Sequence, residues 1–290
     1  MNGYLKELII IKEENKIKIY QVDAFTNKSF KGNPAAVCVL QDDISDEVMK
    51  NIAQEMNLSE TAFVKPLENS RISDCKMFSL RWFTPEVEVD LCGHATIATS
   101  KVLFDEFNIK EQYIKYETKS GVLTAKKEDE KISLDFPIDK ALDFNLTQDI
   151  LDAMGIRSYS KAIIGEKTRK LVIEVKDKED VINLKPNFEM LKLLKFKSNV
   201  KGIGVTCRGN EKYDFISRYF NPWAGINEDP VTGSVHTLLA NYWSNKLNKI
   251  QLNAYQASHR GGEISLKVLE NDRVKLSGEA VIVLSGELYL

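Results

Sequence analysis

Histidine and cysteine are scarce in this chain of 290 residues, which has three of the first and four of the second. The cysteines, Cys38, Cys75, Cys92 and Cys207, are widely spaced and form no C-x-x-C pair. That excludes the usual zinc-ligand spacings and argues for reduced thiols over a disulfide framework. Long apolar runs are missing too. Near the N-terminus the longest is Leu8–Ile11, too short for a membrane span or the core of a signal peptide. Charge of one sign is not in excess either: 40 Lys and Arg face 42 Asp and Glu, for a net charge of −2. No electrostatic footprint of nucleic acid or an anionic membrane is present. The expectation is a cytoplasmic protein with neither as a partner. Residues 1–16 are charged and read as an extension ahead of the first domain.

What the chain has is an ordinary globular composition, 43% hydrophobic and 28% charged, and enough length for two domains. Short β-branched runs alternate with Gly, Asn, Asp and Pro, which predicts many short strands. Among them are Lys18–Val22, Val37–Leu40, Ala62–Val64, Lys76–Phe83, Leu171–Val175, Gly202–Cys207, Tyr213–Phe220, Val274–Leu276 and Ala280–Leu288. Helices are fewer. Ser45–Met56 opens on a capping residue, and His94–Phe107 and Ser234–Leu247 carry helical apolar spacing. Thr147–Met154 and Asn187–Leu194 read as shorter helices. The segment Phe136–Phe144 reads as a linker. It divides the chain into a first domain over 17–138 and a second over 139–290, whose last strand has the option of returning to the first.

The most informative pattern is a repeat. RWFTPEVEVDLCGHATIATSKVL starts at Arg81 and RYFNPWAGINEDPVTGSVHTLLANYW at Arg218. Both begin Arg-aromatic-Phe-polar-Pro and run through a polar, Asp-containing segment to a Gly that opens a helix. The second is three residues longer between its Pro and its Gly. Two equivalent halves place a site in the cleft between them.

Gly93 and Gly233 then sit at two helix N-termini. The first amides of a helix lack internal partners and carry the positive end of the dipole, and glycine lets a ligand approach them. Such a pair suits a carboxylate, or one gaining charge as a neighbouring C–H loses its proton. His94, at the start of a helix, is expected to be a neutral donor or acceptor with a lowered pKa. Ser234 reads equally as a ligand contact or a cap, and Asp229 equally as a site group or an Asx turn. Glu60, in NLSETAFV, is not distinguished by pattern from a surface carboxylate.

Several segments resemble the PhzF (phenazine biosynthesis-like) family within the diaminopimelate-epimerase fold: VDAFTNKSFKGNPAAVCVL, NLSETAFV, RWFTPEVEVDLCGHAT and NEDPVTGS, in the family's order. The resemblance implies an α+β fold of two similar β-rich domains related by a pseudo-two-fold, each a curled sheet or barrel around a central helix. It also implies a homodimer acting on a small-molecule carboxylate, without metal or organic cofactor. The family's catalytic Glu falls on Glu60, its His on His94, and its Asp and Ser on Asp229 and Ser234. Gly93, Gly233 and Thr232 fall among the substrate-binding positions.

The implied reaction is isomerisation of a trans-2,3-dihydro-3-hydroxyanthranilate-like compound, with Glu60 shuttling a proton between carbons. Such a shuttle needs a raised pKa, for which Ala62, Phe63 and Val64 would supply an apolar pocket. Two other readings stay open. One is an amino-acid racemase using Cys92, against which Thr232 stands at the second thiol position. The other is a non-catalytic binding protein. His236 is expected to pack, His259 to lie in a turn, and Arg81 and Arg218 to make structural hydrogen bonds.

Overall fold

The computed structural model describes residues 16–68, 70–196 and 199–290. The N-terminal extension lies outside the described residues, apart from Lys16, which opens the first strand.

The first half carries β1 (Lys16–Ala24), β2 (Asn33–Val39), α1 (Asp46–Met56), β3 (Glu60–Pro66), β4 (Met77–Phe83), β5 (Glu88–Val89), α2 (Gly93–Asp105), β6 (Tyr113–Thr118), β7 (Gly121–Glu128) and β8 (Lys131–Pro137). The second carries β9 (Ala141–Asp143), α3 (Gln148–Met154), β10 (Lys161–Gly165), β11 (Leu171–Glu174), α4 (Lys178–Ile182), α5 (Phe188–Leu193), β12 (Ile203–Arg208), β13 (Phe215–Asn221), β14 (Ile226–Glu228), α6 (Gly233–Leu247), β15 (Gln251–Gln256), β16 (Gly262–Leu269), β17 (Arg273–Gly278) and β18 (Ala280–Tyr289). β18 pairs antiparallel with β1, so the last strand does return to the first half.

The pairings repeat. In the first half β1–β2 is antiparallel, β2–β3 parallel, β3–β4 antiparallel, β4–β6 parallel, and β6–β7–β8 antiparallel. In the second half β10–β11 is antiparallel, β11–β12 parallel, β12–β13 antiparallel, β13–β15 parallel, and β15–β16–β17 antiparallel. β8 pairs with β17 and joins both halves into one mixed, open sheet.

Each half curls around one helix. Ten of the thirteen residues of α2 are buried, as a helix enclosed on all sides requires. Its hydroxyls are satisfied inside the helix: Thr96, Thr99 and Ser100 donate to the carbonyls of Cys92, Ala95 and Thr96 at 2.6, 2.8 and 2.8 Å. α6 buries Val235, Leu238, Leu239, Ala240 and Trp243. Trp243 stacks on Phe215 at 5.7 Å between ring centroids, and its Nε1 donates to Thr206 Oγ1 at 3.1 Å. By contrast, α1 buries only Met49, Ile52 and Ala53 and covers the outer side of the sheet over Phe63 and Phe83. Ser45 caps it, accepting from the Val48 amide. Among the described residues no helix is long and apolar enough to cross a membrane.

The repeated Arg has a repeated partner. Arg81 grips Glu88 with two bonds of 2.8 Å, and Arg218 grips Glu228 at 2.7 and 2.9 Å. Each guanidinium lies over the Phe two residues on, Phe83 at 5.1 Å and Phe220 at 4.9 Å. These forks tie β4 to β5 and β13 to β14, the segments that lead into the two helix starts.

Arg218 also donates to the carbonyls of Val181, Ile182 and Leu184. Arg218→Met is expected to cost about 2–4 kcal/mol in urea unfolding, because it leaves a half-buried carboxylate and three carbonyls without their donor. An unchanged unfolding midpoint would contradict the role given to the fork.

Candidate active site

Cys92 and Thr232 are the residues that precede the first turns of α2 and α6, and both are extended. Neither side chain caps its helix. The first amides of both helices are therefore left for something else. The helices meet end to end: a Cβ built on Gly93 would lie 4.0 Å from Gly233 Cα, and one built on Gly233 would lie 3.9 Å from Gly93 Cα. A side chain at either position would fill the gap between two positive helix ends. A cavity of about 240 Å³ opens there, lined from the first half by Glu60, Cys92, Gly93 and His94 and from the second by Asp229, Thr232, Gly233 and Ser234. All seven positions expected to form the site therefore converge.

Their environments differ. Asp229 is anchored at both carboxyl oxygens: Asn33 Nδ2 donates to Oδ1 at 2.8 Å and Thr232 Oγ1 to Oδ2 at 2.6 Å. Burial raises its pKa, against the nearby His94 and the Thr232 bond. Asn33 also donates to the Val231 carbonyl at 2.9 Å, so the Gly-Asn-Pro-Ala turn of the first half holds the second half's loop. Glu60, the first residue of β3, is free of such anchoring. Its Oε2 lies 3.2 Å from His94 Nε2, but neither atom has a hydrogen-bond partner of good geometry. Ser234 is exposed to the cleft, inside the first turn of α6, and is not the cap.

His94 departs from expectation. Burial disfavours its charge, but Cys92 and Glu60 face its two ring nitrogens and hold its pKa well above the ordinary value. The helix N-terminus, which would lower it, is outweighed by Cys92 and Glu60 together. On its other side His94 Nδ1 lies 3.5 Å from Cys92 Sγ, and burial pushes that thiol up.

The apolar wall also differs from expectation. Ala62, Phe63 and Val64 belong to the core, with Phe63 packed edge-on against Phe83. The wall is made by Leu91, Phe136 and Pro137. The segment Phe136–Phe144 is thus no simple linker. It contains the end of β8, all of β9 and the buried Asp139. Asp139 accepts from the amides of Lys167 at 2.8 Å and Thr168 at 3.1 Å, and from the Thr168 hydroxyl. This clamps the β10–β11 turn, and with it Lys167 and Thr168, against the cleft. Sequence reasoning missed Asp139, Lys167 and Thr168. An Asp just beyond a strand-ending Pro was the one local signal.

His236 packs, as expected. It is fully buried against Phe215, and its Nδ1 donates to the Thr232 carbonyl at 2.7 Å, which steadies the second turn. Arg81 and Arg218 are structural. One donor atom each from Glu60, Cys92 and His94 lie within 4.8 Å of one another, which makes them the residues able to hold a metal among those described.

The model of the family described as phenazine biosynthesis-like proteins matches residues 22–286. An uncharacterized isomerase of Halalkalibacterium halodurans is 48% identical over 275 residues, 94% of this chain and 98% of its own. A solved PhzF-family protein of Enterococcus faecalis is 42% identical, covers 95% of this chain and all of its own, and superposes with a TM-score of 0.87. The chain belongs to the phenazine biosynthesis-like (PhzF) family. A hydroxyproline epimerase of Agrobacterium vitis, solved with bound trans-4-hydroxy-L-proline, is 10% identical with a TM-score of 0.57, over 96% of this chain and 94% of its own, and shares the fold.

Burial pushes the His236 pKa down to about 4 from an ordinary 6.5. A histidine held neutral by burial costs nothing above pH 6.5 and destabilises the fold increasingly as pH falls toward 4, because the unfolded chain takes up the proton first. The loss expected is on the order of 3 kcal/mol. Urea unfolding between pH 7 and 4.5 checks it: wild type should weaken more steeply than His236→Gln. Parallel profiles would contradict the buried neutral state.

Proposed function

We propose that this protein is an isomerase that moves a proton between carbons of a small cyclic or dihydroaromatic carboxylate, with Glu60 as the shuttle. One observation carries the reading. Of the three carboxylates lining the cleft, Asp229 and Asp139 each have both oxygens tied down, whereas Glu60 accepts no hydrogen bond of good geometry and lies beside the two helix ends. A group that must collect and return a proton needs an oxygen free for substrate.

In the proposed step the substrate carboxylate lies between Gly93 and Gly233, within reach of Ser234. Glu60 takes a proton from a C–H one or more bonds away. The electron pair left behind delocalises toward the carboxylate, where the helix amides stabilise the growing charge. Glu60 exchanges that proton with solvent and delivers a proton to a different carbon. His94, its charge favoured by its neighbours, faces Glu60 and balances its charge. Asp229 and Thr232 form a fixed polar wall for an amino or hydroxyl group of the substrate. These protein groups suffice for the chemistry without metal or organic cofactor. The isomerase names of its relatives agree with this reading. A two-thiol racemase is disfavoured, since Thr232 stands opposite Cys92 and its hydroxyl is committed to Asp229. The proposed setting is the cytoplasm, and the proposed assembly a homodimer.

The test is deuterium uptake from D₂O by trans-2,3-dihydro-3-hydroxyanthranilate and related cyclic carboxylates. Wild type should exchange one C–H, and Glu60→Gln should fold normally while slowing exchange by about 10²–10⁴-fold. Exchange by Glu60→Gln at the wild-type rate would exclude the shuttle. In Gly233→Ala the added methyl would meet Leu276 at 3.8 Å and Gly93 at 3.9 Å, ordinary contacts that leave the fold intact. Calorimetry with benzoate should show at least about tenfold weaker binding for this variant, the equivalent of losing about 1.4 kcal/mol. Undiminished binding would move the anion site elsewhere.

A further inference from the structure

Thiol, imidazole and carboxylate are the donor set of zinc, and the closed end of the cleft brings one of each together. Cys92 Sγ lies 3.5 Å from His94 Nδ1, and Glu60 Oε2 lies 3.2 Å from His94 Nε2. Donors bound to one tetrahedral zinc at about 2.0–2.3 Å are about 3.3–3.8 Å apart, so the thiol–Nδ1 separation is near a ligand–ligand edge, and one donor atom from each of the three residues lies within 4.8 Å of the others. His94 is 6% exposed, and its buried Nε2 has no hydrogen-bond partner, nor has Glu60 Oε2 facing it. Sequence spacing did not reveal the cluster, because Glu60 comes from β3 while Cys92 and His94 flank the start of α2.

We propose that Cys92, His94 and Glu60 capture a zinc-class divalent cation, and that the captured ion blocks the cleft. The thiol and imidazole select zinc or cobalt over magnesium or calcium, which prefer all-oxygen shells. One ring nitrogen serves one ion. Nδ1 already shares an edge with the thiol, and the Glu60 carboxylate, held by no hydrogen bond of good geometry, swings to the third position. Binding breaks the Cys92 S–H bond and the Nδ1–H bond of the charged His94, forms an S–metal and an N–metal bond, and releases two protons to solvent. The fourth position opens on the gap between Gly93 and Gly233, where a carboxylate would otherwise sit. Capture uses Glu60, so a metal-bound molecule has no free shuttle. Metal binding itself does not depend on the isomerase reading; only its inhibitory consequence does.

The experiment is titration of the full-length protein with Co²⁺, read by absorption, and with Zn²⁺, read by equilibrium dialysis. The expected result is one ion per chain and a cobalt–thiolate charge-transfer band. Cys92→Ser should abolish the band and weaken zinc retention at least tenfold. Glu60→Gln, on a partly exposed side chain, should keep the band and weaken retention less, so it decides the matter if Cys92→Ser folds poorly. Failure to bind, binding without a thiolate band, or retention unchanged in both variants would overturn the proposal. In wild type that exchanges deuterium, one equivalent of zinc should stop exchange and a chelator restore it. Exchange that continues with the thiolate band present would overturn the inhibitory role alone. Absence of exchange under all conditions, with the band present, would count against the isomerase reading and not against the metal site.

Discussion

Two helix N-termini point at each other, and the rest of the structure holds them there. Left alone the arrangement is unfavourable, since like dipole ends face across a gap and the first amides of both helices have no cap. Several constraints impose it. Both helices are enclosed by curled halves of one sheet, and burial of residues such as Leu103, Phe104 and Trp243 contributes roughly 1.5–3 kcal/mol each. Pairing of β8 with β17 fixes the two halves relative to each other. The Arg–Glu forks and the Asn33 bridge set the loops that enter the helices. The outcome is a pair of facing helix ends whose positive dipoles would suit the anion site proposed above.

The same geometry separates the two carboxylates by role. Asp229 is the anchored one, tied to Asn33 from the other half and to Thr232 beside it. Glu60 begins a strand, and its side chain lines the cleft beside His94 and Cys92, held by no hydrogen bond of good geometry. The cleft lining is shared between the halves. Asn33, Glu60 and His94 come from one half, and Asp229, Ser234 and the clamped Lys167–Thr168 turn from the other.

Much of this was legible in the sequence. The repeat around Arg81 and Arg218 disclosed the two equivalent helix starts, since identical residues had to make identical Arg–Glu and Arg–Phe contacts. Turn residues and β-branched runs disclosed most strands. Less legible were features that depend on distant partners. The pKa of His94 could not be read from its place on a helix, because its neighbour Glu60 is 34 residues away in sequence. Asp139 looked like linker chemistry, and only the fold brings the β10–β11 turn to it. Ala62, Phe63 and Val64 looked like a pocket wall because they follow Glu60, but strand alternation and the parallel β2–β3 pairing send them into the core.

The central claim is that the two helix ends form one anion site. It is tested most directly by titrating glycine-¹⁵N-labelled protein with benzoate and following the amide resonances. Gly93 and Gly233 are expected to shift together along a single binding curve, while Gly121 and Gly286, which have open surroundings and do not line the cleft, stay still. Movement of only one of the two, or separate curves for each, would contradict it.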